Sequence, residues 1–254
     1  MVARARMTME RHQLTRLIDG IGPRRALERL RPYVTESRQQ RIEQVLQHRV
    51  RTLHVAVERP HDPHNAAAIV RTAEALGCGP VHAISDISGI LRARKTTKGA
   101  MYWVETHHYR DLGDFLAIIR SSGMRLAGAC VHGRDTIDLA ELPIDRPLCV
   151  MFGNESTGLS DEALAACDHR FTIPMVGMSE SLNLSVSAGI TLHDLLQRKR
   201  GWLATRGRSG DGDNAWLVRT RVRWYARALD DRLVRHLLAP EVDVAARAPA
   251  AGAP

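Results

Sequence analysis

An arginine lies among alanines in the segment PHNAAAIVRTAEALG, residues 63–77. Asn65 is a good N-cap residue, and the residues after it have strong helix propensity. Winding the segment at 3.6 residues per turn brings a core-facing stripe onto one side: Ala66, Ile69, Val70, Ala73 and Leu76. The opposite side carries small alanines around Arg71, so we expect this helix to be packed on both sides. Arg71 is therefore either paired, with Glu74 one turn on, or available to a ligand.

A second segment with chemical potential is FGNESTGLSDEAL, residues 152–164. Its spacing approaches the phosphate-binding pattern GxxxxGK[ST], but Leu159 occupies the lysine position and Glu155 would repel phosphates. These two residues argue against a nucleoside triphosphatase. The segment predicts a strand-to-helix turn with Ser160 as the N-cap, and its glycines allow backbone N–H groups to approach a small polar ligand.

A third segment, IPMVGMSESLNLSVSAGI, covers residues 173–190. It predicts a strand end, a loop of about nine residues, and a helix entered through Ser181, Leu182 and Asn183. Met175 and Met178 offer adaptable apolar contacts, and the glycine between them allows close backbone approach. Such a loop suits an adenine-sized group held by backbone hydrogen bonds and apolar walls.

The charge of the chain is concentrated in two flanks. The net charge is +8, and residues 1–51 and 195–236 each contribute +7, whereas residues 52–194 contribute −5. An acidic centre between two arginine-rich flanks is typical of a protein that binds a polyanion such as RNA. Arg92–Lys98 forms a further basic loop, which either contacts RNA or is a solvated run of charge.

Composition excludes several classes of protein. The chain has 254 residues, 44% hydrophobic and 25% charged, and no apolar run approaches the ~20 residues needed to cross a bilayer. The N-terminal residues have no apolar signal-peptide centre. The four cysteines show neither CxxC pairing nor zinc-finger spacing, so we expect reduced thiols, a cytoplasmic location and no metal. His61 and His64 are interpreted as solvated turn histidines.

The hydrophobic pattern divides the chain into three parts. Residues 1–51 predict amphipathic helices. Residues 52–200 alternate strands with helices, which predicts an α/β domain with a largely parallel sheet; the expected strands are 53–58, 81–84, 124–131, 147–153 and 170–174. Residues 201–254 predict a Gly-rich linker, one basic helix and a disordered Ala/Pro-rich tail. In that helix, Trp224 and Tyr225 either stack on bases or dock the helix on the protein.

Together the three segments resemble the SpoU (TrmH-type) RNA ribose 2′-O-methyltransferases of the SPOUT superfamily. The motifs that carry the resemblance are Asn65-x5-Arg71-x2-Glu74, the Gly153–Ser160 loop, and Ile173–Ala188. The resemblance covers about residues 50–200. It implies a parallel-sheet fold with a deep C-terminal trefoil knot (an exception to the rule that chains are unknotted), a homodimer and S-adenosyl-L-methionine as methyl donor. Helical extensions at both ends are most similar to the branch that methylates the D-loop guanosine-18 of tRNA.

The resemblance also assigns roles to individual residues. It places catalysis and substrate positioning on Asn65, Arg71, Glu155, Ser181 and Asn183, with Arg71 beside the ligand of the other chain of the dimer. It places the cofactor against a set of backbone groups and apolar side chains: Cys130, Phe152, Gly153, Asn154, Gly158, Ile173, Met175, Gly177 and Leu182.

The chemistry itself restricts what Arg71 can do. Methyl transfer to a ribose oxygen is an in-line displacement, and the hydroxyl is a poor nucleophile until its proton leaves. A guanidinium with a pKa above ~12 is an awkward base, so we expect Arg71 to position the ribose-phosphate and stabilise developing oxyanion charge. Two other functions stay open: a ribosomal RNA methyltransferase, and a catalytically silent RNA-binding protein on the same fold.

Overall fold

The computed structural model describes Met9, residues 11–131, Gly133 and residues 135–239. The predicted disordered tail lies outside the described residues from position 240 onward. The chain forms two compact units, a helical unit that comprises residues up to Glu43 and from Asp213, and an α/β unit, Gln44–Gly212. The predicted extensions, 1–51 and 201–254, thus each contribute residues to both units, and their role in RNA binding stays a prediction.

The α/β unit is built on one sheet of seven parallel strands, ordered β3-β2-β1-β6-β4-β7-β5. Its strands are β1 (Leu53–Glu58), β2 (Val81–Ile84), β3 (Thr106–Tyr109), β4 (Arg125–Ala129), β5 (Thr136–Asp138), β6 (Leu148–Phe152) and β7 (His169–Thr172). The predicted parallel sheet flanked by helices is confirmed.

Ten helices accompany the strands in the described part of the chain. They are α1 (Arg11–Ile21), α2 (Pro23–Leu30), α3 (Glu36–Leu46), α4 (Pro63–Leu76), α5 (Arg94–Thr97), α6 (Leu112–Ser121), α7 (Asp161–Ala166), α8 (Leu184–Ala204), α9 (Asn214–Ala228) and α10 (Asp231–Leu237).

The start of α4 differs from the prediction. Its N-cap is Asp62, whose carboxylate accepts a hydrogen bond from the backbone N–H of His64, so the expectation of Asn65 as the N-cap is wrong. Pro63 explains the earlier start, because its fixed φ and missing N–H suit the first helical position. Asn65 consequently lies inside the first turn, which leaves its side chain available for other partners. The helix ends at Gly77, whose φ of 81° is left-handed.

Four other elements also depart from the prediction. Strands β3 and β5 were not predicted, because THHY is polar and TID has only three residues at the sheet edge. Helix α8 continues to Ala204, into the expected linker. The expected single C-terminal helix is two helices, α9 and α10, because Asp230 caps a new helix and its carboxylate accepts from the Arg232 N–H.

Each face of the sheet has its own apolar core. The first core joins α4 and α8 to the strands through residues such as Ile69, Val55 and Leu192. The second core joins α6 and α7 to the other face, with Phe115 and Met151 fully buried. Because both faces of the central strands are covered, their sequences are mostly apolar and do not alternate with polar residues.

A row of histidines crosses the sheet at β1, β2 and β3. The rings of His54 and His82 stack at 5.1 Å, and those of His82 and His107 at 5.2 Å. A hydrogen bond of 3.0 Å joins His54 Nδ1 to His82 Nε2. Burial first, and then the neighbouring His107, lowers the pKa of His54 to about 4. Burial also lowers the pKa of His82, so both rings are neutral in the folded protein.

Three successive cations near the end of α8 bind backbone carbonyl groups. Arg198 donates hydrogen bonds of 2.7 and 2.9 Å, and Lys199 one of 2.6 Å, to carbonyl oxygens within residues 139–144. Arg200 donates to the carbonyl oxygen of Leu76 at the end of α4. These bonds fasten α8 to the rest of the α/β unit, so this part of the basic flank is structural.

The helical unit joins the two ends of the described chain. Arg221 of α9 forms a bidentate ion pair with Glu43 of α3, and the Arg227 guanidinium donates to the Met9 carbonyl oxygen. Trp224 and Tyr225 are 5% and 3% exposed, so they dock α9 on its neighbours. The expectation that they could stack on bases is therefore wrong.

Candidate active site

The loops of the three sequence motifs meet at one edge of the sheet. Parallel strands β1, β6, β4 and β7 are neighbours, so the segments that follow them leave from the same edge. These segments are residues 59–62, Gly153–Ser160, Cys130 and Ile173–Asn183. This edge is formed by the C-terminal ends of the strands, and we call it the carboxyl edge. It brings together most of the predicted site residues.

The loop after β6 is closed by its own backbone and by Asn154. The N–H and C=O groups of Asn154 and Gly158 exchange hydrogen bonds of 3.0 and 2.9 Å. Asn154 Oδ1 accepts from the backbone N–H groups of Ser156 and Thr157, and its Nδ2 donates to the Arg59 carbonyl oxygen at 2.8 Å. A Cβ at Gly153 would overlap the backbone of Gly158, so only glycine fits there.

A buried carboxylate holds the far end of this loop. Glu58, the last residue of β1, is 4% exposed and accepts hydrogen bonds from both the N–H and the Oγ of Ser160, at 2.8 and 2.7 Å. Ser160 is also the N-cap of α7, as predicted. The role of Glu58 was missed by sequence reasoning, although a carboxylate ending an apolar strand was the available signal.

A chain of hydrogen bonds connects the three motifs. Asn65 Nδ2 donates to Glu155 Oε1 at 3.0 Å, and Asn183 Nδ2 donates to Asn65 Oδ1 at 3.1 Å. Asn183 Oδ1 in turn accepts from the Ser185 N–H and caps α8. We call Glu155, Asn65 and Asn183 the amide relay. Asn65 comes from the first turn of α4, Glu155 from the loop after β6 and Asn183 from the N-cap of α8, so the relay fixes these three segments relative to one another.

Glu155 is ionised more readily than an ordinary glutamate. Its carboxylate also accepts from the backbone N–H groups of His61 and Asp62 at 2.8 and 3.3 Å. Partial burial raises its pKa, but the hydrogen bonds, that of Asn65 foremost, outweigh burial and hold the pKa below its ordinary value. The relay therefore contains a fixed negative charge.

Arg71 has no partner within the described residues, and the alternative of a pair with Glu74 is wrong. Its side chain is exposed on the face of α4 away from the sheet. On that side Ala67 is buried, Ala68 is half-buried and Ala75 is exposed. Packing on both sides of α4 is thus only partial within one chain.

The cofactor residues expected from the resemblance lie beside this edge. The Cys130 N–H donates to the Phe171 carbonyl oxygen at 2.8 Å, and the Phe152 and Phe171 rings meet edge to face. Ile173 packs against the core, whereas Met175 is half-buried.

The loop that follows is exposed. Gly177, Ser181 and Leu182 are all exposed, as are the neighbouring side chains of Val176 and Met178. The loop therefore presents apolar side chains and backbone groups at the carboxyl edge of the sheet.

Two histidines flank the site. The ring of His64 hydrogen-bonds Thr96 Oγ1 at 2.8 Å, which connects α4 to the basic loop through α5, while His61 contributes its backbone N–H to Glu155. Over the residues that the structure describes, no group of three or more His, Cys, Asp or Glu side chains is arranged to hold a metal ion. Nor does that part of the chain contain a helix long and apolar enough to cross a membrane.

Comparison with known sequences finds relatives that agree with one another. The sequence profile of the SpoU rRNA Methylase family matches residues 52–193. The tRNA (guanosine(18)-2′-O)-methyltransferases of Escherichia coli and Thermus thermophilus are each 37% identical to this chain, over 164 and 166 residues. These alignments cover 65% of this chain and 71% and 84% of the two relatives.

Solved structures agree with the sequence relatives. The TrmH/SpoU tRNA modifying enzyme of A. aeolicus has a TM-score of 0.67 at 25% identity, covering 76% of this chain and 96% of that one. The SpoU methyltransferase AviRb from Streptomyces viridochromogenes, solved in complex with the cofactor AdoMet, has a TM-score of 0.53 at 25% identity. Its alignment covers 58% of this chain and 60% of that one.

A parallel sheet with polar loops gathered at its carboxyl edge defines an α/β protein with a ligand site at that edge. The profile match extends over more than half of the chain. The chain belongs to the SpoU methylase family.

Proposed function

We propose that this protein transfers a methyl group from S-adenosyl-L-methionine to the ribose 2′-hydroxyl of the D-loop guanosine-18 of tRNA. The observation that carries the proposal is the amide relay, whose side-chain bonds of 3.0 and 3.1 Å join the first turn of α4 to the loops after β6 and β7. The same helix carries Arg71, whose guanidinium has no partner within the described residues. The relatives at 37% identity carry that activity in their names, which supports tRNA as the substrate.

The residues at the carboxyl edge fit the methyl donor. Ile173, Met175 and Leu182 offer apolar contacts to a flat ring, and the loop backbone offers donors and acceptors around it. The cofactor, when bound, supplies an electrophilic methyl group. The contribution of the relay is to keep the loops after β1, β6 and β7 in a fixed arrangement, so that the reacting atoms are aligned.

Arg71 acts on the RNA. An exposed guanidinium can form a bidentate contact with a phosphate, and it stabilises negative charge that develops on the 2′-oxygen. Ser181 hydrogen-bonds the ribose, a role that its exposure just before α8 supports. Glu155 stays ionised and orders the loop after β6, because its three hydrogen-bond donors come from residues 61–65.

The active form is a homodimer. Helices α4 and α8 pack on each other, and α8 exposes Val186 (48%) and Ile190 (41%) to the outside. These side chains, with the small alanines of α4, form an apolar face of the kind that subunit interfaces bury. In this dimer Arg71 stands beside the ligand of the partner chain, which explains an arginine surrounded by alanines.

A trefoil knot and a cytoplasmic location complete the proposal. The support for the knot is the fastening of α8 to residues 139–144 by Arg198 and Lys199, which holds a late helix against a loop that precedes β6. The basic flanks, 1–51 and 201–254, bind tRNA through phosphate contacts.

The test is transfer of labelled methyl from S-adenosyl-L-methionine to an unmodified tRNA transcript. A second transcript carries 2′-deoxyguanosine at the target position, which removes only the acceptor hydroxyl, and ribosomal RNA fragments are assayed in parallel. We expect label on the first transcript and none on the second. Label on ribosomal RNA alone would reassign the substrate, and absence of transfer to any RNA, despite binding, would identify a silent RNA-binding protein.

A further inference from the structure

Most cations of the C-terminal flank are bonded within the chain. Their partners are backbone carbonyls, acidic side chains and neighbouring hydroxyl or amide groups, so these cations are less available to RNA than the net charge implies. The bonded residues are Arg198, Lys199, Arg200, Arg206, Arg219, Arg221, Arg223, Arg227 and Arg235.

Within the described residues of the helical unit, one Tyr or Trp side chain is exposed, and it comes from the N-terminal part of the chain. Tyr33 is 53% exposed, in the short 3₁₀ turn Arg31–Tyr33 between α2 and α3. Gln39 of α3 fixes this turn, because its Nε2 donates to the carbonyl oxygens of Arg31 and Val34 at 3.1 and 2.7 Å. The phenol ring is therefore presented from a backbone that is already ordered.

Three arginines lie near Tyr33 in the sequence, and two of them are unpaired within the described residues. Arg38 and Arg41 are exposed, lie one turn apart on α3, and have no hydrogen bond or ion pair within the described residues. Among the residues that the structure describes, Arg31 donates only its Nε, to Gln39 Oε1, so its terminal nitrogens have no partner there. The sole carboxylate in residues 31–41 is that of Glu36, which accepts a hydrogen bond from Gln40.

We propose that Tyr33 is a stacking platform for an unpaired nucleobase of the RNA substrate, with Arg31, Arg38 and Arg41 binding the adjoining phosphates. The inference deepens the proposed function and depends on RNA being the substrate. We call these four residues the Tyr33 patch. Tyr33 and Arg38 are five positions apart, so their Cα atoms are at most about 18 Å apart, within the combined reach of the two side chains and two or three nucleotides.

The chemistry of the patch distinguishes its two kinds of contact. A base on an aromatic face is bound without regard to its identity and with little dependence on salt, whereas each phosphate contact adds to the salt dependence of binding. A base inside a duplex cannot reach the ring. The patch thus selects single-stranded loops of a folded RNA.

The test measures the Kd of an unmodified tRNA transcript and of a perfect duplex RNA for the wild-type protein and three variants. We expect Tyr33→Ala to weaken transcript binding about tenfold and Tyr33→Phe to remain within about twofold of wild type. Duplex binding and the slope of log Kd against log salt should not change in either. Ile118→Ala, which removes another exposed apolar side chain, is the matched control.

Each outcome separates the patch from the proposed function. Wild-type methyl transfer with an unchanged Kd in Tyr33→Ala would overturn the patch and leave the proposed function intact. Equal losses in Tyr33→Phe and Tyr33→Ala would assign the contact to the hydroxyl and overturn stacking, as would an equal loss on duplex RNA. If the wild type neither binds nor methylates tRNA, the proposed function itself fails.

Discussion

At the scale of single residues, Arg71 is the side chain on which turnover should depend most. Arg71→Ala removes a charge that has no partner within the described chain, so we expect the free energy of unfolding to change by no more than about 0.5 kcal/mol. The kcat for methyl transfer should fall by at least about 100-fold, as when one oxyanion donor is lost. Single-turnover kinetics and urea unfolding measure the two quantities.

Glu74→Gln is the matched control for Arg71. Glu74 lies one turn from Arg71 on α4 and does not pair with it, so the variant should keep the wild-type kcat. A kcat in Glu74→Gln as low as that of Arg71→Ala would show that the pair forms in solution, and would contradict the assignment of Arg71 to the RNA.

Asn65 should control the ionisation of Glu155. Its hydrogen bond is the largest of the effects that lower the pKa of Glu155, so Asn65→Ala should move that pKa upward toward the ordinary value for glutamate. The contribution of ionised Glu155 to stability is present above its unfolded-state pKa and is lost as the pH falls through its folded-state pKa.

Carbon-13 NMR titration of the Glu155 carboxyl measures this shift directly. Asp114→Asn, which changes an exposed carboxylate of α6, serves as the control and should leave the Glu155 titration in place. If the Glu155 pKa is the same in Asn65→Ala as in the wild type, the backbone donors of His61 and Asp62 are sufficient to lower it. The relay would then have no electrostatic role.

The sequence motifs and the family resemblance that they carry predicted much of the site. Asn65, Glu155 and Asn183 were chosen from their motifs, and the structure brings the three side chains together. The partner of Ser160 was not predicted, because Glu58 is about 100 positions earlier and only the pairing of β1 with β6 brings the two loops together.

At the scale of elements, the loop after β6 should tolerate no side chain at its first residue. Gly153→Ala would place a methyl group on the backbone of Gly158, so we expect the free energy of unfolding to fall by more than about 2 kcal/mol. Gly201→Ala in α8 meets open space and should stabilise the protein by up to about 1 kcal/mol. Urea unfolding of both variants decides the matter, and equal stabilities would contradict the loop geometry.

The histidine row should make the sheet sensitive to acid. The pKa of His54 is lowered from 6.5 to about 4 in the folded protein, so between these values the unfolded chain binds the additional proton. The contribution of neutral His54 to the free energy of unfolding is therefore fully present above pH 6.5. It is lost as the pH falls toward 4, by at most about 1.4 kcal/mol per pH unit.

His54→Asn removes this titration. Its free energy of unfolding should fall less steeply than that of the wild type when both are followed by urea denaturation from about pH 7 to about pH 4.5. Identical slopes in the two proteins would mean that His54 is already protonated in the fold. His108→Asn, at an exposed position of β3, is the control and should keep the wild-type slope.

The elements that sequence reasoning missed share one cause. The hydrophobic pattern predicts a strand where burial makes it apolar, as in β1 and β6, both of which were predicted nearly to their ends. Strand β3 is polar because stacked imidazoles and Tyr109 replace aliphatic packing, and β5 lies at an edge with one neighbour. Neither feature is visible in a local pattern.

At the scale of the whole molecule, the proposed dimer makes a distinctive prediction about mixed subunits. Arg71→Ala and Leu182→Asp, the second designed to abolish cofactor binding, should each be inactive alone. If Arg71 acts on the ligand bound by the partner chain, a heterodimer of the two variants has one complete site out of two. Mixing equal amounts under subunit exchange should therefore restore roughly a quarter of wild-type activity.

Sedimentation is the companion measurement to the mixing assay. Ile190→Glu places a charge in the apolar face of α8 and should shift the protein toward monomers and abolish methyl transfer. Ile87→Glu, at another exposed apolar position, should leave the dimer intact. Failure of the mixed sample to regain activity, with exchange verified, would place Arg71 in the site of its own chain.

The packing of the two flanks into one helical unit could not be predicted from the sequence. Both were recognised as basic and helical, but ion pairs such as Arg219 with Asp19 join positions about 200 residues apart. Charge counting treated these arginines as available to RNA, whereas folding pairs several of them within the protein. The net charge of a segment is thus an upper limit on the charge that a polyanion meets.

One consequence of that grouping concerns how the protein is made. The helical unit is assembled from residues before Glu43 and after Asp213, and bonds such as that from Arg227 to Met9 connect its two halves. On the ribosome the first half emerges long before its partner helices exist. The α/β unit can fold while synthesis continues, but α1 and α2 must wait for α9 to leave the exit tunnel. Until then the buried faces of those first helices are exposed, and they are the surfaces that a chaperone acting on the nascent chain would bind.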